Sequence, residues 1–156
     1  MIIFLIGFMG AGKSHWGQKL AEELQCSFLD SDSEIEQKLK KSIPSIFRES
    51  GESYFRLKEK EWLTQLRKKD VVVATGGGMP FFEDNLSIMN EKGITVYINE
   101  PFEKLYDRTK DSNRPLLIRR SKGELEELYK ERIKVYEQSK YIIHSPAVVS
   151  DLLNVL

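Results

Sequence analysis

The chain contains one cysteine, Cys26. No internal disulfide can form, which fits a reducing compartment. Nothing near Cys26 marks it as a nucleophile, and a small buried hydrophobe is the expected role. Net charge is also missing, since Lys+Arg and Asp+Glu both number 24. Such a balance lacks the electrostatic footprint of a protein that binds nucleic acid or an anionic membrane. No apolar run approaches membrane-spanning length. The opening "MIIFLI" has no basic stretch before it and runs into a glycine loop, unlike a secretory signal. Repeats, low-complexity tracts and domain linkers are absent. The expectation is therefore a cytoplasmic monomer, one domain over residues 1–156, with no nucleic-acid or membrane partner. At 156 residues, 40% hydrophobic and 31% charged, the chain can bury a sizeable core and is not disordered. One asymmetry stands out: five of the eight arginines lie between Arg108 and Arg132. Guanidinium forks suit phosphates and carboxylates, so that stretch is a candidate anion site.

Strand and helix patterns alternate along the chain. Ile2 to Ile6 is apolar throughout, as a strand buried on both faces requires. Further strands are predicted at Ser27 to Asp30, at "VVVAT" (71–75), at "ITVYI" (94–98) and at "YIIH" (141–144). Helices are predicted over Lys13–Leu24, Asp32–Lys41, Glu52–Arg67, Asp84–Lys92, from Pro101 onward as first helical residue, Lys122–Ser139 and Pro146–Leu156. This alternation predicts an α/β fold with a five-stranded parallel sheet covered by helices on both faces. Ligands in such sheets bind beyond the carboxyl ends of the strands.

"GFMGAGKS" (7–14) spends three of the ten glycines on eight residues and matches G-x-x-x-x-G-K-[ST] in full. Phosphate oxygens need several backbone N–H groups converging on one point, and a Cβ would block that approach. The helix opening at Lys13 adds the positive end of its dipole. Lys13 can reach β- and γ-phosphates, and the Ser14 hydroxyl can ligate Mg²⁺. Asp30 and Asp32 in "FLDSD" follow the second strand, where a spacing of two puts both carboxylates on one face of extended chain. One could hold the water shell of a metal and the other a substrate hydroxyl. Equally, Ser31 with Glu34 resembles a capping box, and Asp32 favours a helix N-terminus without any catalysis. Gly76–Gly77–Gly78 after a buried strand gives a ligand room to lie against backbone, or makes an ordinary turn. Arg132 sits in the apolar stripe of Leu125, Leu128, Tyr129 and Tyr136, so it needs a ligand anion, an internal carboxylate or a path to water. Arg56 has Glu52 four residues before it, a favourable helical ion pair. Arg114 lies in "DSNRPLLIRRSKG", a basic loop between two helices, long enough for a lid or a solvated surface loop.

Together these segments resemble the shikimate kinase family, small P-loop kinases of the nucleoside-monophosphate-kinase fold. "GFMGAGKS", "FLDSDSEIE", "IFRESGESYFRLKE", "GGG" (76–78) and "NRPLL" (113–117) carry the resemblance over nearly the whole chain. It implies a three-layer P-loop domain with a mobile lid at about 109–122 and a substrate-binding helical segment at about 32–61. It implies ATP-dependent phosphorylation of the 3-hydroxyl of shikimate, giving shikimate 3-phosphate and ADP in chorismate and aromatic amino-acid biosynthesis. Lys13, Asp32 and Arg114 would be catalytic. Gly10, Ala11, Gly12, Lys13, Ser14, His15, Arg108, Arg114 and Pro146 would hold ATP, with Arg108 against adenine, and Ser14 and Asp30 would serve Mg²⁺. Asp32, Arg56, Gly77, Gly78 and Arg132 would bind shikimate. Family members often carry an arginine in the adenine loop after the last strand, whereas this chain reads "HSPAV". The alternatives are a related small-molecule P-loop kinase of the gluconate type and a non-catalytic nucleotide-binding module.

Overall fold

The structure, a computed structural model, describes residues 1–144 and 149–156. Strands β1 (Ile2–Ile6), β2 (Ser27–Asp30), β3 (Val71–Ala74), β4 (Ile94–Asn99) and β5 (Tyr141–His144) form one parallel sheet in the order β2-β3-β1-β4-β5. Every residue of β1 and β3 is buried, as continuous apolar strands between helical layers should be. β1 pairs with β3 on one side (Leu5 opposite Ala74) and β4 on the other (Leu5 opposite Val96). Strand order reverses at β1, so its carboxyl end opens into the sheet's crevice. "GFMGAGKS" leaves the sheet at that point.

The helices are α1 (Lys13–Glu23), α2 (Ser31–Leu39), α3 (Ile43–Gln65), α4 (Asn85–Lys92), α5 (Phe102–Thr109), α6 (Pro115–Ile118), α7 (Lys122–Tyr136) and α8 (Val149–Asn154). Several boundaries differ from the sequence reading. The long helix begins at Ile43, not Glu52, because the Ser42 hydroxyl caps it by accepting from Ser45 N and Glu36 Oε2 accepts from Ile43 N at 3.0 Å. It bends at Gly51, whose φ of 85° and ψ of 168° interrupt the helix between two good helical halves. The expected Ser31–Glu34 capping box does not form. Asp30 is the cap of α2 instead, accepting from Asp32 N and Ser33 N, while Ser31 is buried and accepts from Gly76 N. Pro101 precedes the first residue of α5 as its cap, and α7 ends at Tyr136, followed by turns rather than helix. The stretch read as loop between α5 and α7 contains the single turn α6. Within the last predicted helix, Pro146 lies outside the described residues, and α8 begins at Val149.

Candidate active site

Gly10 and Gly12 both adopt φ of 84°, a left-handed conformation that lets the 7–14 loop wrap back on itself. A Cβ on Gly10 would also lie 2.7 Å from Thr109 Cγ2. Inside this loop Lys13 Nζ donates to Gly7 O (2.8 Å) and Phe8 O (2.9 Å), so the ammonium is already held at the centre of the curl. Burial pulls the Lys13 pKa down to about 8; the Arg114 charge adds to this, and Asp32 and Asp30 oppose it. Ala11 is buried and donates its N–H to Phe8 O. His15 is exposed, edge-on to Trp16. Arg108 Nη1 donates to Gly10 O at 3.0 Å, and its Nη2 lies 3.6 Å from Oε1 of the buried Glu100.

Beside the loop, Ser14 Oγ donates to Asp30 Oδ2 at 2.5 Å. Asp30 thereby divides its two oxygens: one caps α2 and the other faces the nucleotide loop. A hydroxyl and one carboxylate are hard oxygen donors that fit Mg²⁺, which takes few protein ligands and keeps water and phosphate oxygens. Among the described residues no group of three or more His, Cys, Asp or Glu side chains could hold a metal alone, in keeping with that donor set. Asp32 sits in the first turn of α2, so helix geometry, not the two-residue repeat of a strand, sets its direction relative to Asp30. Its Oδ1 is buried without a hydrogen-bond partner. Desolvation pushes its pKa up, the Asp30 charge pushes further, and Lys13 opposes both.

Across the crevice lie two buried arginines. Arg56 Nη1 donates to Glu59 Oε2 at 2.6 Å and Nη2 to Glu52 Oε1 at 3.2 Å. The helical ion pair expected with Glu52 is present, but a second and fully buried carboxylate shares the guanidinium. Burial works against the Arg56 charge, and the two glutamates outweigh it. Arg56 lies flat on Gly78: a Cβ there would be 2.4 Å from its Cζ. Arg132 is buried on α7 with Nε and Nη1 lacking any hydrogen-bond partner, and its guanidinium stands 5.6 Å from the Phe8 ring centroid. Desolvation lowers its pKa, and the like charge of Arg56 adds to that. Next to it, Tyr136 OH donates to Gly77 O, anchoring the glycine turn to α7.

Two cavities meet here. One, of about 200 Å³, lies between Arg56, Glu59, Arg132 and residues Asn113 to Leu116. The other, of about 290 Å³, lies along Gly10, Gly12, Lys13, Ser14 and Asp30. Asp32, Gly76, Gly77 and Arg114 line both. Of the residues singled out in the sequence, those lining the two cavities come from six separate segments; Ala11 and Arg108 line neither, and Pro146 lies outside the described residues. Sequence reasoning missed Glu59, yet a signal existed. It shares the stripe of Phe55, Trp62 and Leu63 at helical spacing, the same pattern that drew attention to Arg132.

A family model described as shikimate kinase matches residues 9–151. The shikimate kinase of Persephonella marina is 45% identical over 139 residues, 88% of this chain and 84% of that one. A crystal structure of the Aquifex aeolicus shikimate kinase superposes with a TM-score of 0.90 at 39% identity, covering 99% of this chain and 95% of the other. An Acinetobacter baumannii shikimate kinase in complex with shikimate gives a TM-score of 0.89 at 39% identity, covering 97% and 87%.

Proposed function

The chain belongs to the shikimate kinase family, and from that membership we propose the reaction in detail: transfer of the γ-phosphoryl group of ATP to the 3-hydroxyl of shikimate. The observation that carries the assignment of parts is the meeting of a P-loop cavity with an arginine-lined cavity at Asp32, Gly76, Gly77 and Arg114. In this reading the phosphoryl group is transferred at those shared residues.

The carboxylate of the substrate fits the unpartnered Nε and Nη1 of Arg132, with Arg56 as the second fork. The substrate ring then spans from Arg132 towards the shared residues, where Asp32 Oδ1 accepts the hydrogen of the reacting hydroxyl. Backbone N–H groups of the 10–14 loop and the ammonium of Lys13 hold the ATP phosphates. Arg114 enters from the lid onto the transferred group, and positioning with charge neutralisation does most of the catalytic work. When bound through Ser14 and Asp30, Mg²⁺ supplies further neutralisation of the phosphate oxygens. Among the described residues no helix is long and apolar enough to cross a membrane.

Release of ADP measured with a panel of small hydroxy acids tests the reading. Shikimate should be the preferred acceptor. Turnover that depends on gluconate, or ADP release indifferent to shikimate, overturns it.

A further inference from the structure

Glu59 is fully buried, yet it satisfies only half of its hydrogen-bonding capacity. Oε2 accepts from Arg56 at 2.6 Å, while Oε1 has no partner. Asp32 Oδ1 has none either. The two oxygens face the same point from opposite helices: a Cβ on Gly76 would lie 2.6 Å from Asp32 Oδ1 and 2.8 Å from Glu59 Oε1. Glycine at 76 is what lets two carboxylates approach there. Two carboxylate oxygens that have no protein partner and converge on one point repel each other, and sharing one proton relieves that repulsion. A single proton on Glu59 Oε1 turns one acceptor into a donor facing the other.

The charges around Glu59 make that proton responsive to the substrate. Arg56 stands on its own helix, with Glu52 on the far side of the guanidinium; Asp32 faces it from α2, and Arg132 and Tyr136 from α7. Lys13 and Arg114 stand beyond Asp32. Among the described residues Arg56 is the hydrogen-bond partner of Glu59, and Arg56 is also one of the two forks assigned to the substrate carboxylate. An anion docked on Arg56 adds negative charge beside Glu59 and draws on the same cation. Both changes favour the neutral acid.

We propose that Glu59 takes up a proton from solvent on Oε1 when a carboxylate substrate docks on Arg56 and Arg132, so that substrate binding and proton binding are coupled. The coupling rests on the substrate reading given above. It makes Glu59 a positioning residue whose charge state follows occupancy of the anion pocket. Burial raises the Glu59 carboxyl, Arg56 draws it down and Asp32 raises it again, for a net value of about 7, so the group is poised near neutrality.

Calorimetric titration of the intact protein with shikimate alone, at pH 7 in buffers of different ionisation enthalpy, measures the proton count. A group half-protonated when free and fully protonated when bound takes up about half a proton. Uptake should vanish at pH 5, where Glu59 already carries its proton, and should vanish in Glu59→Gln. The two imidazoles of the chain, His15 and His144, lie outside the arginine-lined cavity. A His15→Asn/His144→Asn double variant should therefore keep the wild-type uptake. Shikimate that binds with no proton uptake at pH 7, uptake equal at pH 5 and 7, or uptake lost with the histidines overturns the inference while leaving the substrate reading standing. If Glu59→Gln fails to fold or bind, the wild-type pH series and the histidine variant decide. A wild-type protein that binds no shikimate overturns the substrate reading, and the inference falls with it.

Discussion

Arg132 is the residue whose surroundings make the sharpest demand. It is buried, its Nε and Nη1 are unpartnered, and its neighbours are the Tyr136 hydroxyl and the face of Phe8. Arg132→Ala should leave the melting temperature unchanged or raise it, because an expensive charge has gone. Shikimate affinity should fall by about 2–5 kcal/mol, the usual scale for removing one partner of a buried charge pair. ATP binding alone should hardly move. A large loss of stability with unchanged shikimate affinity would make Arg132 a structural residue. Asp32 poses the complementary case. Asp30, not Asp32, caps α2, so Asp32→Asn removes no helix cap. Turnover should drop by about 10²–10⁴-fold, the scale of a lost hydroxyl-orienting base, with ATP affinity near wild type; a drop in melting temperature alone would favour a purely structural role. Lys13→Met should end turnover and abolish stabilisation by ATP, seen in thermal melts with and without nucleotide. Arg132 and Asp32 were legible because polar residues stood where pattern or motif left them no ordinary partner. Glu59 was passed over although it shares the apolar stripe of Phe55, Trp62 and Leu63, because Arg56 three residues earlier offers it an ordinary helical partner.

The helical segment from α2 through α3 and the stretch 113–116 line the arginine pocket. Their boundaries were the least legible in sequence. "SIPSIF" carries a serine cap and an early proline, but Gly51 breaks the periodic pattern and hides the continuity on either side. Gly51 has open space around it and a conformation strained for any L side chain. Gly51→Ala should therefore cost about 1–3 kcal/mol through backbone strain rather than collision. Chemical denaturation would report this as a lower midpoint with an unchanged slope, while an alanine as stable as the glycine would mean the kink is relaxed. For the stretch at about 109–122, hydrogen exchange should be fast in the free protein and should slow with ATP and shikimate together. α6 is a single turn anchored by the half-buried Leu116 and Leu117, and Arg114 is exposed, so opening this segment uncovers little apolar surface. Exchange that is equally slow in both states would count against a moving lid.

At the scale of the molecule, the sheet was the most legible part of the sequence. Its strands are continuous apolar runs, and alternation with helices leaves few other ways to bury them. The strand order is a different matter, because every strand looks alike from its composition; only the fold shows that β1 lies between β3 and β4. Glu59 also sets a pH dependence for the whole protein. Glu59 keeps its proton up to about 7 in the fold, whereas an unfolded glutamate releases it near 4.5. The native state thus holds more protons in that window, and this group's stabilising share is lost as pH rises from 4.5 through 7. Lys13 acts in the opposite direction higher up: its folded pKa of about 8 against 10.5 makes stability rise with pH between those values. Melts across pH 4.5–7 should show a decline that Glu59→Gln flattens. The shared lining of the two cavities has one more consequence, for inhibitor design. With Asp32, Gly76, Gly77 and Arg114 belonging to both, a compound that joins a carboxylated ring to a polyphosphate needs only a short tether. Once one end is seated, the other samples its own pocket at an effective concentration of the order of millimolar, so two weak fragments can combine into avid binding without any new contact.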